Sequence, residues 1–212
     1  MMRDFYGRLA LGVEIDPAPD AAFEMEISSV LLPSVGLGRG IISPIDATRS
    51  RQLAQDGGGG LLFSTFTTPF HVSDRSNDRL AVGPGQVLVA PLDLPSLWTY
   101  GPTGEVRSVW VDRSALARYM PALELSGPLV LDLESPMVRL LYAYAGIVRD
   151  AAAPGEAEST FFNRQMLEIA AMALSGAMRP EEFGSSGARA ARLAAIRKDL
   201  AGIFQRQGLS VG

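Results

Sequence analysis

The sequence predicts an α+β protein in which a β-barrel or sandwich is followed by a helical region. Three observations support this fold class. Short apolar or β-branched runs, separated by clusters of Gly, Pro, Ser and Asp, fill the first two-thirds of the chain, which is typical of strands and turns. No long helical pattern lies between these runs, as expected for a closed all-β body. Beyond residue 134 the apolar residues change to helical spacing.

The composition limits the class of protein. Of the 212 residues, 47% are hydrophobic and 20% are charged, which is enough apolar material for a folded core. The absence of cysteine excludes disulfides and thiolate metal sites and indicates a reducing compartment. The N-terminal residues contain no signal-peptide core, and no apolar run approaches the roughly 18 residues of a membrane span. We therefore expect a cytoplasmic protein with no membrane partner.

The strands are predicted from the apolar runs and from the turn signals between them. The expected strands are residues 23–32, 40–45, 61–70, 86–90 and 105–111. The expected turns are residues 33–40, 57–60, 73–78 and 83–85. A short helix is expected directly after the last strand, over about residues 112–119, because Asp112 or Ser114 can cap its amides.

A longer helix is expected after Ser135 and Pro136, because proline at the first helical position has no amide to leave unpaired. The apolar residues that follow recur at i, i+3, i+4, i+7 and i+11, which makes one stripe on one face. They are Met137, Leu140, Leu141, Tyr144 and Val148. Residues 151–158 are expected to form a loop.

The next predicted helix, residues 160–178, carries two adjacent apolar stripes and therefore needs burial on two sides. The first stripe is Phe162, Met166, Ile169 and Ala173, and the second is Leu167, Ala171, Leu174 and Met178. Either the helix is enclosed within its own domain, or one stripe packs on the barrel and the other on a second subunit. We assign the second stripe to the interface of a homodimer.

The C-terminal segment differs from the rest of the chain in its charge. Residues 181–187 have the composition of a linker, and residues 188–204 return to helical spacing. Between residues 188 and 206 there are five basic residues and one acid, whereas the whole chain has a net charge of -4. This basic segment predicts a function different from that of the acidic body.

Residues for enzymatic chemistry are few. His71 is the single histidine, and without cysteine it cannot complete the set of ligands that a zinc or iron site needs. No serine lies in a G-x-S-x-G elbow, and the glycines at 36–40 and 57–60 lack the spacing of a dinucleotide loop or a P-loop. We therefore expect no catalytic residues, no metal and no cofactor.

Aromatic residues late in the strand region form the best candidate for a binding site. Trp98 and Tyr100 follow the turn at residues 91–95, and Trp110 lies on the next strand. Aromatic side chains on the inner face of a small barrel can line an apolar pocket, to which Arg49 would add a polar group from another strand. The alternative is that these rings simply fill the core, and the residues alone leave both interpretations open.

Three blocks of the sequence resemble known families in the same order. Residues 80–90, LAVGPGQVLVA, are similar to the strand–turn–strand of cupin-like barrels, with Gln86 where many relatives have Asp. Residues 109–150 resemble the barrel-to-helix transition in regulatory domains of AraC-type transcription factors. Residues 191–212, ARLAAIRKDLAGIFQRQGLSVG, resemble the first helix of that family's DNA-binding domain. The chain lacks the His-x-His metal cluster of other cupins.

The resemblance implies a cupin-like, jelly-roll-like effector-binding barrel over residues 1–134 and a helical dimerisation region over residues 135–180. Residues 181–187 would be the linker, and residues 188–212 the first helix of a truncated DNA-binding domain. It implies a small organic effector near Arg49, Trp98, Tyr100 and Trp110, with Arg49 pairing with a carboxylate. DNA would be bound only through the missing C-terminal helix-turn-helix units. The alternatives are a metal-free cupin-like enzyme and a pure interaction module.

Overall fold

The computed structural model describes residues 12–19, 22–55, 59–73, 79–151 and 154–177. The described residues up to Leu174 belong to one compact unit. The strands are β1 (Glu14–Pro17), β2 (Met25–Leu32), β3 (Val35–Ile42), β4 (Ile45–Arg49), β5 (Gly60–Phe66), β6 (Phe70–Ser73), β7 (Arg79–Val82), β8 (Gln86–Pro91), β9 (Ser96–Tyr100), β10 (Gly104–Asp112) and β11 (Leu129–Asp132). The helices are α1 (Arg51–Ala54), α2 (Arg113–Leu116), α3 (Pro136–Asp150) and α4 (Glu156–Ala177).

The strands form two antiparallel sheets. Sheet I has the order β1-β4-β9-β6-β7, and sheet II has the order β11-β8-β5-β10-β3-β2. The chain crosses between the sheets in the connections β1–β2, β3–β4, β4–β5, β5–β6, β7–β8, β8–β9 and β9–β10, so that β4, β9 and β6 lie across from β3, β10 and β5. The inner faces of both sheets contribute to one buried apolar core. This two-sheet body followed by helices confirms the predicted α+β, cupin-like fold.

The central strand of sheet II, β5, is buried on both faces. Leu61, Phe63 and Val109 are on the face turned away from the barrel core, yet none of them is exposed to solvent. The helices contact this face, since the Arg107 guanidinium lies 5.6 Å from the ring centre of Tyr142 in α3. The sheet is also joined to α4, because the backbone amide of Ser34 donates to Asn163 Oδ1 at 2.7 Å. Helices therefore continue the hydrophobic core outside the barrel.

The predicted turn over residues 33–40 is wrong. The turn between β2 and β3 contains only residues 33 and 34. Strand β3 begins at Val35 and includes Gly36, Gly38 and Gly40. The strand is stable because it pairs along its whole length with β2 on one side and β10 on the other, which supplies the hydrogen bonds that offset the low strand propensity of glycine.

Two predicted strands are each divided in the structure. The predicted strand 40–45 is the end of β3 and the start of β4, and the predicted strand 61–70 is β5 followed by the start of β6. In both places the chain passes from sheet II to sheet I. The apolar runs continue through these corners because the residues on both sides of each corner belong to the same core.

The turn predicted at residues 83–85 is confirmed between β7 and β8. Gly85 has a φ of 82°, which glycine adopts without strain. Gln86 stabilises the turn, because its side-chain Oε1 accepts a hydrogen bond from the amide of Gly83 at 2.8 Å.

The helix predictions are largely confirmed. Asp112 caps α2 by accepting from the amide of Ala115 at 2.8 Å, and Pro136 opens α3 as expected. Helix α4 begins at Glu156, four residues before the predicted start, with Glu156 and Glu158 in its first turn. Carboxylates are favourable there because they oppose the positive end of the helix dipole. Among the described residues, no helix combines the length and apolar character that a membrane crossing requires.

Candidate functional site

The end of the barrel at which the connections β3–β4, β5–β6, β7–β8 and β9–β10 lie is here called the crossing end. An aromatic cluster of Phe66, Phe70 and Tyr100 fills the core at this end. The ring of Tyr100 is stacked on Phe70 with 5.1 Å between centroids, and it meets Phe66 edge-on, also at 5.1 Å. The quadrupole of an aromatic ring favours both stacked and edge-to-face pairs. Tyr100 therefore belongs to the closed end of the barrel.

The Tyr100 hydroxyl is buried within this cluster. Burial raises its pKa well above the ordinary value, and a hydrogen bond with Ser64 acts weakly in the opposite direction. Ser64 lies on β5 and faces the same core. The phenol is therefore a neutral, hydrogen-bonded group of the core at physiological pH.

Trp98 lies on the inner face of β9, two residues before Tyr100, and is therefore further from the crossing end. Its side chain is 3% exposed, and it is in register with Ala47 of β4 and Val72 of β6. Within the described part of the chain, its indole Nε1 has no hydrogen-bond partner. The same is true of the buried Oγ of Ser96, two residues earlier on the same face. Two donors thus reach the barrel interior without an acceptor.

Arg49 lies at the far end of the barrel, opposite the crossing end, in register with Ser96. Its side chain is 2% exposed. The guanidinium donates from Nη1 to the carbonyl of Gly12 at 2.6 Å and from Nε to the carbonyl of Leu92. It therefore joins β4 to the segment before β1 and to the loop between β8 and β9.

Trp110 lies on the inner face of β10 at the same far end. It pairs with Leu62 of β5 and with Gly36 of β3. The indole lies directly over Gly60, so closely that a side chain at residue 60 would collide with it. The glycine at the start of β5 is thus required by the position of the Trp110 ring.

The structure places all four predicted ligand-binding residues on the inner surface of the barrel. Arg49 and Trp110 lie at the far end, Trp98 lies one step inward, and Tyr100 lies at the crossing end. Sequence reasoning missed Ser96. The alternation in Ser96–Tyr100, with every second residue directed inward, is the signal that could have identified it.

The predicted dimer-interface residues are buried within the single chain. Leu167, Ala171 and Leu174 are at most 5% exposed, and so are Met166 and Ile169 of the other stripe. The described residues of both stripes are therefore buried except for Phe162, which is half-buried, and Leu167, Ala171 and Leu174 are not available to a partner in this conformation. Met178, the linker at 181–187 and the basic segment at 188–212 lie outside the described residues.

His71 lies on β6 and is half-buried, facing away from the barrel core in register with Thr99. No group of three or more His, Cys, Asp or Glu side chains that could hold a metal occurs among the residues described.

Comparison with known proteins identifies similar folds. The AraC-like transcriptional activator CuxR matches over 99% of this chain and 81% of its own, with a TM-score of 0.68 and 16% identity. At this identity the likeness shows a shared fold only. ToxT from Vibrio cholerae O395 has a TM-score of 0.37 with 11% identity, covering 64% of this chain and 54% of its own. An RmlC-like cupin protein from Desulfovibrio desulfuricans has a TM-score of 0.34 with 13% identity, covering 45% and 93%.

The last two likenesses are too low to support an argument. No protein-family model matches the sequence, and no curated protein matches it.

Proposed function

We propose that this chain is the effector-sensing regulatory part of an AraC-type transcription factor. The observation that carries the sensing function is the pair of unpartnered polar atoms inside the barrel, Trp98 Nε1 and Ser96 Oγ. Buried polar groups are nearly always paired, because leaving one unpaired costs about 1–3 kcal/mol. A bound effector would supply the missing acceptor.

The regulatory function is supported by two further observations. The fold of CuxR, described as an AraC-like transcriptional activator, covers the helical part of this chain as well as the barrel. The two sequence blocks that resemble AraC-type proteins, residues 109–150 and 191–212, follow a block that resembles cupin-like barrels, and the order of the three is that of the family. In that family, helix-turn-helix units read DNA through the major groove, and residues 191–212 resemble the start of that region.

Regulation requires that the effector bind one state of the protein better than another. Only such differential affinity shifts the population of the state competent for DNA binding. Arg49 offers one element that differs between states, because it joins the segment before β1 to the β8–β9 loop next to Ser96. We propose that the chain is a non-catalytic cytoplasmic protein without a cofactor, as the sequence predicts.

A thermal-shift screen of small organic metabolites tests the sensing function. At a concentration about 100 times its Kd, an effector that binds only the folded state stabilises it by about 2.7 kcal/mol. For a chain of this size we expect the midpoint of unfolding to rise by about 5–10 °C. No rise with any compound of a broad panel would favour a filled barrel and an interaction module, and consumption of a bound compound would favour an enzyme.

We also propose that the chain forms a homodimer through the surface of its helices. On the described helices, the large apolar side chain that is most exposed to solvent is Ile147 of α3, at 60%. Together with Leu140 and Ala143 it forms an apolar surface on α3. The spacing i, i+3, i+7 places all three on one face.

Sedimentation of the chain with Ile147→Glu tests this dimer. A charge in an apolar interface should weaken association at least tenfold, about 1.4 kcal/mol or more. The matched control is Leu97→Glu, which adds the same charge at a residue that is 38% exposed on β9 of sheet I, whereas α3 packs on sheet II. A monomeric parent chain at high concentration, or equal association of the two variants, would contradict the proposal.

A further inference from the structure

We infer that the barrel binds a compact, apolar and non-cationic molecule whose oxygen acceptor is held by Trp98 Nε1 and Ser96 Oγ. This inference rests on the proposed sensing function and specifies the class of ligand and the residues that select it. Three independent features of the barrel interior support it, namely the two donors, the small residues across from them and the distribution of charge.

The first feature is the pair of donors. The indole Nε1 of Trp98 can only donate a hydrogen bond, and the side chain that carries it is 97% buried, its exposure being 3%. Ser96 and Trp98 project from the same face of β9, two residues or about 6.6 Å apart along the strand. Both atoms lack a partner within the described residues. An acceptor such as a carbonyl or carboxylate oxygen, placed between them, satisfies both.

The second feature is a belt of small residues across from β9. At one level of sheet II, three adjacent strands present Gly38, Ser108 and Ser64, which are in register with one another. Cores are normally filled to crystal-like density by branched and aromatic side chains. Here β3, β10 and β5 carry at most a hydroxymethyl group each at this level, whereas the next strand, β8, carries the core residue Leu88 in register with Ser64.

The third feature is the charge of the inner wall. Only two acidic residues have inward register in the described strands, Asp112 and Asp132, and both are at strand ends. Their carboxylates accept from backbone amides of their own loops, those of Ala115 and Glu134. A cationic ligand would therefore be buried without a counter-charge, which is strongly unfavourable. The ligand is accordingly neutral or anionic.

The experiment uses a matched set of benzene derivatives as probes: benzoate, benzamide, benzylamine and toluene. The chain contains two tryptophans, so that its proton–nitrogen correlation spectrum has two indole N–H signals. The signal missing in Trp98→Phe identifies that of Trp98. We expect benzoate or benzamide to move the Trp98 signal downfield, whereas benzylamine and toluene leave it in place.

The variants test the role of each donor. Trp98→Phe keeps a flat ring but removes the N–H, and Ser96→Ala removes the hydroxyl. Each should weaken binding of the acceptor-bearing probe roughly tenfold, the effect of one buried hydrogen bond. The control is Thr99→Ala, which removes a hydroxyl from the same strand on the opposite face, and it should change the affinity less than twofold.

Different failures have different meanings. If a probe raises the midpoint of thermal unfolding but binds Trp98→Phe as tightly as the parent chain, sensing stands and the assignment to these donors is overturned. If benzylamine binds as well as benzamide, the ligand class is overturned. If neither benzoate nor benzamide moves the Trp98 signal at its solubility limit, the donors are satisfied by water, and the inference fails. Absence of any stabilising compound in the wider metabolite screen would overturn the sensing function itself.

Discussion

Replacing Arg49 with methionine is expected to lower the free energy of unfolding by about 3–5 kcal/mol, because each of two hydrogen bonds from a charged donor contributes about 1.5–3 kcal/mol. Arg49 is 2% exposed, and its guanidinium donates to the carbonyls of Gly12 and Leu92. Methionine has a similar length and fills the space of the aliphatic stem. It cannot donate, so that both buried carbonyls lose a partner.

Denaturant unfolding of Arg49→Met measures this effect. The control is Arg39→Met, because Arg39 forms an exposed ion pair with Glu105 at 2.9 Å, and exposed pairs contribute at most about 1 kcal/mol. Arg49→Lys should recover only part of the loss, since one ammonium cannot reproduce the planar fork that reaches two carbonyls. A loss below about 1 kcal/mol in Arg49→Met would show that the two carbonyl contacts do not stabilise the fold.

This expectation also changes the interpretation of Arg49 as a candidate binding residue. The sequence pattern favoured a salt bridge between Arg49 and a carboxylate effector. In the structure two of its nitrogen atoms are engaged by backbone carbonyls. A sequence shows that a charged residue lies within an apolar strand, but it does not show whether the charge serves a ligand or the chain's own backbone.

The strands that sequence reasoning predicted were those with strong apolar runs. β5 and β8 are buried along nearly their whole length, and their runs of Leu, Phe and Val are plain in the sequence. β3 was predicted as a turn because Gly36, Gly38 and Gly40 are turn signals in isolation. The pairing with β2 and β10 that keeps these residues extended is non-local, and no local pattern reports it.

The helices show a related limit. The two apolar stripes of α4 correctly predicted burial on two sides, since the described residues of both stripes are buried except for the half-buried Phe162. The periodicity of the apolar residues predicts how many faces of a helix are buried. It does not predict whether the residues that bury them belong to the same chain. The assignment of Leu167, Ala171 and Leu174 to a second subunit depended on that unknown, and the single chain already buries them.

Alkaline unfolding is the second large effect, and it arises from buried phenols. Burial raises the pKa of Tyr144 to about 12 and raises the pKa of Tyr100 and Tyr142 further. In the unfolded chain each phenol titrates near 10. Above pH 10 the unfolded state therefore releases protons that the folded state retains, so that stability is complete below pH 10 and falls as the pH rises.

Each such phenol removes at most about 1.4 kcal/mol per pH unit, so that Tyr144 alone removes roughly 2 kcal/mol between pH 10 and 12. All three together exceed a small margin of stability, and we expect cooperative unfolding in this window. Few other side chains titrate between pH 10 and 12, because the chain has one lysine and no cysteine, and arginine does not titrate in this range. Phenolate absorbance and circular dichroism should therefore change together.

Tyr142→Phe separates this mechanism from general alkaline damage. The Tyr142 hydroxyl has no hydrogen-bond partner within the described residues, so that its removal should leave stability at pH 7 unchanged or slightly higher. At pH 11 the variant should be more stable than the parent by about 1.4 kcal/mol, because one ionisation that favours the unfolded state is gone. Tyr119→Phe, at a half-buried residue, should give a smaller gain. If the tyrosines ionised near pH 10 without loss of secondary structure, the phenols would be accessible to solvent, and the packing of α3 on sheet II would have to be looser than the structure shows.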